Sequence, residues 1–385
     1  MSSFQGLTLN GQYYTKQWLL DHHRNLDSEQ FTENEITTLS FCGQWLSGVQ
    51  EFEVATSGST GEPKFINLNR SQMVLSARMT GQALRLKQGD RAIVCLSPCY
   101  IGGLMMLVRG LVLDLELTIV EPTGDPFESL NLETKTPQHF DFTALVPLQL
   151  ESMVSSGTEH ISLVNKMKAI LVGGAPVSGA LLKKIQTVEA PIYHTFGMTE
   201  TVSHIALRRL NGREASESFK PLPSVEIGTD ERGCLTIKSP ATNDRRIVTN
   251  DLVEIKPDNS FIWLGRIDHV INTGGVKVQA EKVESAIEEA LCEIEGGDYG
   301  NREFFVGPLP DEKYGQVVAA IFEGPNFSQD TQNKLRAKLS EKLNKYEIPK
   351  NMYFLRTFLR TPNGKIDRKA NLRIFAHCTK FSPKI

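Results

Sequence analysis

Short apolar runs alternate with helical patterns between about residues 70 and 200, and this alternation limits the fold more than any other feature. Apolar runs bounded by turn residues are typical of buried strands, and the intervening segments carry helical spacing. The pattern predicts a mainly parallel sheet with helices on its faces, in which ligands lie at the carboxyl ends of the strands. The predicted strands are 92–96, 117–120, 142–146 and 168–172, and the predicted helices are 104–113 and 178–188.

The pattern changes after residue 200. Short extended runs separated by Gly, Pro, Asn or Asp indicate antiparallel strands up to about residue 264. Helical spacing returns at 279–291 and 328–346, among further extended runs. The sequence therefore predicts an α/β protein. A large N-terminal domain (1–267) has mainly parallel sheets plus antiparallel strands, and a smaller α+β C-terminal domain (268–385) follows it.

Composition excludes several classes of protein. The net charge is −3, with 40% apolar and 23% charged residues, so a phosphate site must be local and we expect no nucleic-acid partner. No window approaches the ~18 apolar residues that span a bilayer, so we expect no membrane insertion. The N-terminus lacks a secretory pattern. The six cysteines form no Cys-x-x-Cys pair, which favours free thiols and a cytoplasmic location.

Residues 56–64 read Thr-Ser-Gly-Ser-Thr-Gly-Glu-Pro-Lys. The glycines let backbone N–H groups turn toward an anion, the hydroxyls add donors, and Lys64 adds a positive charge. Pro63 precedes the lysine and no Ser or Thr follows it, which distinguishes this loop from the P-loop. We predict a phosphate-binding loop between extended segments at 52–55 and 65–68; an ordinary solvent-facing turn is the alternative.

A second motif is 194–200, His-Thr-Phe-Gly-Met-Thr-Glu, directly after a predicted strand. Thr199 could donate to a phosphate, and Glu200 could hold Mg²⁺, which prefers carboxylate and phosphate oxygens. Upstream, the small residues of 172–176 would let a flat ring approach the backbone, and Phe196 could stack on that ring. A plain turn followed by a helix start is the alternative.

Two further motifs lie toward the C-terminus. Asp251 could accept both hydroxyls of a ribose, and Arg266, two residues before Asp268, offers a fork suited to phosphate or to those hydroxyls. Pro362-Asn-Gly-Lys365 is a strong turn signal that would present Lys365 at a loop tip. A surface ion pair between Asp251 and Arg266, and a solvated basic turn, are the alternatives.

These motifs, in this order from about residue 54 to 373, resemble the acyl-adenylate-forming superfamily of acyl-CoA ligases, luciferases and peptide-synthetase adenylation domains. The resemblance implies ATP, Mg²⁺ and coenzyme A (CoA) as cofactor and co-substrates. It implies catalytic roles for Thr199, Glu200 and Lys365, with Glu200 as the metal ligand. The implied nucleotide-binding residues are Thr56, Ser57, Gly58, Ser59, Thr60, Gly61, Lys64, Gly173, Gly174, Ala175, Pro176, Thr195, Phe196, Gly197, Asp251 and Arg266.

The resemblance also implies a mobile C-terminal domain that rotates about a hinge at Asp268. That rotation would replace Lys365 at the site by Gly274, Gly275 and Val276, which would line the CoA path. Two departures are visible: Asn250 replaces the usual Gly beside Asp251, and only 55 residues precede the phosphate loop. The shortened N-terminus bears on dimerisation or substrate shielding, and a homodimer is an open alternative.

Three segments, at 96–109, 145–149 and 199–203, resemble the o-succinylbenzoate–CoA ligases of menaquinone synthesis. A dicarboxylic substrate needs a cationic or multi-donor pocket for the carboxylate that does not react. The candidates are Tyr100, which departs from the His often found there, Arg109, Ser203 and His204. The alternatives are another aryl or acyl acid, an adenylation enzyme that loads a carrier protein, and a catalytically silent nucleotide-binding relative.

Overall fold

A computed structural model describes residues 4–56, 64–128, 130, 139–294, 302–361 and 366–378. The strands are β1 (Gly6–Leu9), β2 (Gln12–Thr15), β3 (Glu51–Thr56), β4 (Lys64–Asn69), β5 (Arg91–Val94), β6 (Glu116–Ile119), β7 (Phe142–Leu145), β8 (Ala169–Val172), β9 (Ile192–Met198), β10 (Ser203–Arg209), β11 (Lys220–Pro221), β12 (Glu226–Thr229), β13 (Cys234–Lys238), β14 (Ile247–Ile255), β15 (Phe261–Arg266), β16 (Val270–Thr273), β17 (Val276–Gln279), β18 (Phe304–Asp311), β19 (Gly315–Glu323) and β20 (Asn351–Leu355). The helices are α1 (Lys16–His22), α2 (Glu33–Leu46), α3 (Arg70–Leu84), α4 (Ile101–Leu113), α5 (Pro147–Ser155), α6 (Thr158–Asn165), α7 (Gly179–Lys184), α8 (Ala280–Glu293), α9 (Gln329–Lys342) and α10 (Arg368–Cys378).

The largest sheet has nine strands in the order β11-β10-β9-β8-β7-β5-β6-β1-β2. Its centre is parallel, from β9 across to β1, and both edges are antiparallel. Every strand and helix predicted between residues 92 and 188 is present, with ends shifted by a few residues. The α/β prediction is therefore confirmed, and the carboxyl ends of β8 and β9 lie side by side.

Two further sheets follow in the chain. A four-stranded antiparallel sheet has the order β12-β13-β14-β15, and a five-stranded sheet combines β16 to β20, with α8 and α9 packed on it. The buried apolar clusters of the chain up to Phe261 are separate from those that begin at Ile271. A domain boundary near Asp268 would produce this separation; the boundary itself stays a prediction.

The hairpin of β3 and β4 frames the predicted phosphate loop. Its strands pair in register over six residues each, from Glu51 opposite Asn69 to Thr56 opposite Lys64. Asn69 then caps α3, because its side-chain oxygen accepts from the N–H of Ser71. In return, the backbone N–H of Asn69 donates to the side-chain oxygen of Gln72. The two predicted extended segments are confirmed, while residues 57–63, where the phosphate loop is predicted, lie outside the described residues.

Helix α4 packs unusually close to the large sheet. A Cβ atom at Gly103 would overlap the backbone of Leu96 and Ser97, and one at Gly110 would overlap the side chain of Leu117. Nine of its thirteen residues are buried, including Arg109. Close packing of this kind places a charged side chain in the protein interior. Within the described part of the chain, no helix combines the length and apolar character needed to cross a bilayer.

Candidate functional site

The segment after β8 lies against β9. Val172 is in register with His194, which places Gly173 beside Thr195. A Cβ atom at Gly173 would overlap the hydroxyl of Thr195, and that hydroxyl donates to the carbonyl of Val172 at 3.2 Å. Gly174 adopts a φ of +82°. The predicted nucleotide residues Gly173 to Pro176 and Thr195 are thus brought together at the carboxyl edge of the sheet.

Strand β9 continues through the second motif as far as Met198, because it pairs with β10. The chain turns after Met198, at the 3₁₀ segment Thr199–Thr201, and Gly197 lies within the strand. A glycine is needed there because a Cβ atom would overlap the carbonyl of Ser203. Thr199 is buried and Glu200 is exposed, so the carboxylate faces solvent at the end of the strand.

Phe196 is half-buried and packs edge-on against Phe219 and Phe261, with ring centroids 5.5 and 5.2 Å apart. These contacts fix its ring beside Thr195. Sequence reasoning missed His194, whose buried Nδ1 accepts or donates no hydrogen bond among the described residues. Burial, aided by the nearby Arg208, lowers the pKa of His194 to about 4. Its position depends on the register of β9 against β8, which places it opposite Val172.

Asp251 on β14 lies opposite Arg266 on β15. The two side chains do not pair. Arg266 instead donates to both carboxylate oxygens of Asp268, at 2.9 and 3.0 Å, and these bonds outweigh burial and lower the pKa of Asp268. Asp251 accepts a hydrogen bond from Trp263 at 2.9 Å. The ion pair considered between Asp251 and Arg266 is therefore absent.

Three of the acid-pocket candidates form one buried cluster. The Nη2 of Arg109 donates to the hydroxyl of Ser203 at 3.2 Å and contacts Nδ1 of His204 at 3.4 Å. Burial lowers the pKa of Arg109 to about 9, and burial with Arg109 nearby holds the pKa of His204 well below its usual value. Among the described residues no carboxylate pairs with Arg109, and its Nε has no hydrogen-bond partner.

The direction of the hydrogen bonds in this cluster follows from Arg109, which can only donate. Nδ1 of His204 must then accept, so Nε2 carries the proton and donates to Thr80, 3.1 Å away. The hydroxyl of Thr80 donates onward to the carbonyl of Ser76. Each group donates to the next one along, from Arg109 to the carbonyl of Ser76, and all the acceptors are neutral. These hydrogen bonds therefore do not neutralise the charge of Arg109.

The backbone beside this cluster is strained. Val202 and Ser203 both have positive φ, +54° and +84°, and a β-branched residue rarely adopts that conformation. Thr201 holds the turn by donating to the carbonyl of Ser203 at 2.8 Å. Since Ser203 is in register with Met198, the cluster lies directly beside Thr199 and Glu200. Strain of this kind is typical of functional sites.

Tyr100 does not join the cluster. It precedes the first residue of α4, is 50% exposed, and its backbone bridges to Ala55 beside the predicted phosphate loop. Nine residues along a helix separate it from Arg109, which corresponds to about 13 Å. Tyr100 therefore lies apart from Arg109, beside the predicted phosphate loop.

The remaining candidates are only partly described by the structure. Gly274 and Gly275, with φ of +58° and +88°, form the tip between β16 and β17, and Val276 beside them is exposed. Ser57, Gly58, Ser59, Thr60, Gly61 and Lys365 lie outside the described residues, and only the backbones of Thr56 and Lys64 are described. Arg360 and Ile366 flank residues 362–365 and form an antiparallel bridge.

Comparison with known proteins gives consistent results. The family model for AMP-binding enzyme matches residues 55–232. The 2-succinylbenzoate–CoA ligase of Lactococcus lactis is 26% identical, over 89% of this chain and 78% of the relative. A probable 2-succinylbenzoate–CoA ligase of Mycobacterium tuberculosis is 27% identical, over 84% of both chains.

Two solved structures are similar. An acyl-CoA synthetase (AMP-forming)/AMP-acid ligase II-like protein from Dyadobacter fermentans is 41% identical, over 92% of this chain and 98% of that one, with a TM-score of 0.59. The o-succinylbenzoate CoA synthetase of Bacillus subtilis, in complex with its acyl-adenylate intermediate, is 23% identical over 82% of this chain and 68% of that one. Its TM-score of 0.67 supports the fold alone.

Proposed function

The chain belongs to the AMP-binding enzyme family, and we propose that this AMP-forming acid–CoA ligase joins o-succinylbenzoate to CoA. One observation carries the proposal: Arg109 is 1% exposed and has no carboxylate partner among the described residues. A buried charge is costly unless a partner compensates it. The carboxylate of a dicarboxylic acid that does not react is such a partner, and the names of the curated relatives support o-succinylbenzoate as that acid.

The place of the cluster supports the same substrate. Ser203 is its partly exposed end, and it lies beside Thr199 and Glu200 at the carboxyl edge of the sheet. An acid whose free carboxylate meets Ser203 and Arg109 would thus have its other end near the ATP phosphates. Such anchoring of a remote group fixes the reacting carboxylate for attack.

We propose the following roles for the nucleotide residues. Residues 56–64 hold the β- and γ-phosphates, Thr199 contacts the α-phosphate, and Asp251 accepts the ribose hydroxyls. The segment 173–176 and Phe196 enclose the adenine, whose flat ring fits between small residues and an aromatic face. His194 stays neutral near pH 7 because its pKa is about 4, so it offers hydrogen bonds without adding charge beside the base.

The residues present suit a magnesium ion carried by ATP. Glu200 is exposed at the end of β9, and within the described residues no group of three acidic, His or Cys side chains could form a complete metal cage. Mg²⁺ usually binds one or two carboxylates, with phosphates and waters as its other ligands. When bound, it would neutralise phosphate charge during transfer. Glu200 would orient it there.

The reaction has two halves. The substrate carboxylate attacks the α-phosphorus of ATP, the bond to pyrophosphate breaks, and an acyl-adenylate forms. The CoA thiol then attacks the acyl carbon and AMP leaves. Lys365 would stabilise the first transition state, and rotation about Asp268 would bring Gly274 to Val276 to the site for the second. Five described cysteines are free thiols, which supports a reducing compartment such as the cytoplasm.

The role of Lys365 gives a direct prediction. Lys365→Ala should slow adenylation by ~10²-fold or more, the scale of one electrostatic group at a phosphoryl centre. Thioester formation from preformed acyl-adenylate should survive. Both half-reactions would be followed separately, by ATP–pyrophosphate exchange and by CoA-thioester release. An equal loss in the two would remove Lys365 from the proposed role.

A panel of carboxylic acids tests the substrate. Each acid is incubated with ATP and CoA, and products are read by mass spectrometry; the panel pairs o-succinylbenzoate with benzoate, 4-phenylbutyrate and a fatty acid. We expect a CoA thioester from the dicarboxylate, and far less from each monocarboxylate. Activation of monocarboxylates but never of o-succinylbenzoate would overturn the substrate. Absence of ATP–pyrophosphate exchange with every acid would indicate a catalytically silent nucleotide-binding relative. Transfer of the acyl group to a carrier protein but not to CoA would indicate an adenylation enzyme that loads a carrier protein.

A further inference from the structure

The strand that carries Asp251 departs from regular pairing at that residue. On β14, Val248 pairs with Thr236 and Leu252 with Cys234, so Thr249, Asn250 and Asp251 together face Leu235 alone. A bulge of this kind leaves backbone groups without ladder partners and re-aims a side chain. On the other side, the ladder with β15 shifts register between Leu252 and Val253. Asp251 is therefore paired on the β15 side alone, opposite Arg266, and the irregular β13 side leaves room for side-chain contacts to orient it.

Arg232 supplies contacts where the ladder opens. Its Nη2 donates to the carbonyl of Thr249 at 3.1 Å, and its Nη1 donates to the side-chain oxygen of Asn250 at 3.2 Å. Asp230 holds the guanidinium through a 2.8 Å bond to Nε. The same Asp230 accepts from the backbone N–H groups of Arg232 and Cys234, so the anchor is itself fixed.

This arrangement explains Asn250, the residue that stands where the superfamily usually has Gly. A glycine would have no oxygen for Nη1 of Arg232. The amide of Asn250 ties the middle of the bulge to the turn before β13. Thr249 completes the local structure, since its hydroxyl accepts from the N–H of Asp251 at 3.0 Å.

Trp263 holds the carboxylate from the other strand. Its indole Nε1 donates to Oδ1 of Asp251 at 2.9 Å, and within the described residues Oδ2 accepts no hydrogen bond. An indole N–H can only donate, so this bond restricts the rotation of the carboxylate. One oxygen is thus held, and the other stays available for a ligand hydroxyl.

We propose that Trp263 and Arg232 are positioning residues, which set the direction of Asp251 before ATP binds. The inference rests on the proposed role of Asp251 as acceptor of the ribose hydroxyls. Trp263 orients the carboxylate directly, and Arg232 fixes the bulge on which the carboxylate stands. Neither residue needs to touch the nucleotide. Pre-orientation lowers the entropy lost when the hydroxyls bind.

The test compares two nucleotides that differ only in the hydroxyls. Dissociation constants for ATP and for 2′,3′-dideoxy-ATP are measured by calorimetry on the full chain, with kcat and KM for ATP measured alongside. Trp263→Phe keeps an aromatic ring but removes the donor. We expect about tenfold weaker ATP binding, the scale of one hydrogen bond to a charged group. Binding of the dideoxy nucleotide should change by less than about twofold, and kcat by less than about threefold.

Arg232 is tested independently of Trp263, which guards against a variant that fails to fold. Arg232→Met should weaken ATP binding about threefold to tenfold, again without affecting the dideoxy nucleotide. If Asn250 acts through Arg232, the double variant with Asn250→Gly should lose no more than Arg232→Met alone. Arg246→Met, immediately before β14, and Trp18→Phe in α1 are matched controls, and both should bind like the unmodified protein.

The outcomes separate the positioning roles of Trp263 and Arg232 from the ribose-binding role of Asp251. The positioning role is overturned if both nucleotides bind equally more weakly, or if neither variant weakens binding. The ribose-binding role of Asp251 would still stand. Asp251→Asn provides the reference: it should weaken ATP strongly and the dideoxy nucleotide little. If Asp251→Asn does not discriminate between them, the ribose role of Asp251 fails, and the inference about Trp263 and Arg232 fails with it.

Discussion

Arg109 and Arg368 show two ways in which this chain treats a guanidinium. Arg368, on α10, pairs with both oxygens of Glu284 at 2.8 and 3.1 Å, and Glu284 also accepts from the N–H of Val306. Arg109, on α4, is far more deeply buried but contacts only the neutral groups of Ser203 and His204. The C-terminal part thus completes its charge pair internally, whereas Arg109 is a buried cation without a carboxylate partner among the described residues, which the proposed substrate would supply.

The comparison predicts its largest effect on activity. Arg109→Met should lower kcat/KM for o-succinylbenzoate by about 10²-fold or more, because removing one partner of a buried charge pair costs several kcal/mol. The same substitution at Arg368 should change kcat/KM by less than about threefold, since that side chain pairs with Glu284 and not with the proposed acid pocket. Steady-state kinetics on the two variants decide this. Similar losses in both would mean that Arg109 is structural.

The same pair of variants should have opposite effects on stability. Methionine at position 109 replaces an uncompensated charge with an apolar chain of similar length, so the free energy of unfolding should rise by about 1–4 kcal/mol. Arg368→Met leaves the carboxylate of Glu284 partly buried and unpaired, so it should lower that free energy by about 1–2 kcal/mol. Urea unfolding, monitored without ligands, measures both. If Arg109→Met lowered the free energy of unfolding, this result would contradict the proposal that Arg109 lacks a compensating partner until the substrate binds.

The sequence predicted the fold and the candidate site only in part. The β/α alternation predicted the strands of the parallel sheet, including the strand that ends before Gly173, because local spacing determines strand ends. Tyr100 and Arg109 were assigned to one pocket, although a helix between them separates them by about 13 Å. The partners of Arg109 and the support of Asp251 by Trp263 and Arg232 depend on strand register. Register brings together residues that are distant in sequence, and no local pattern records it.

The pH dependence tests the charge itself. The pKa of Arg109 is lowered to about 9, so the ligand-free protein loses this proton as the pH rises through that value. KM for o-succinylbenzoate should then rise by about tenfold per pH unit above pH 9, and KM for a monocarboxylate should not. Because the pKa of Arg109 in the folded state lies below the ordinary value for arginine, the unfolded chain binds more protons than the folded chain between these two values. Relative to Arg109→Met, stability should therefore increase with pH over this range.

The smallest effect concerns Thr80, which accepts from Nε2–H of His204 and so favours the tautomer whose Nδ1 accepts from Arg109. In Thr80→Val that acceptor is lost, and the other tautomer would turn a proton toward the guanidinium. KM for the dicarboxylate should rise about fivefold, the scale of one hydrogen bond, and Thr80→Ser should restore it. Thr38→Val on α2 is the control, because Thr38 is equally buried and its hydroxyl has no partner among the described residues. Equal effects on dicarboxylates and monocarboxylates would show that Thr80 supports packing rather than the orientation of His204.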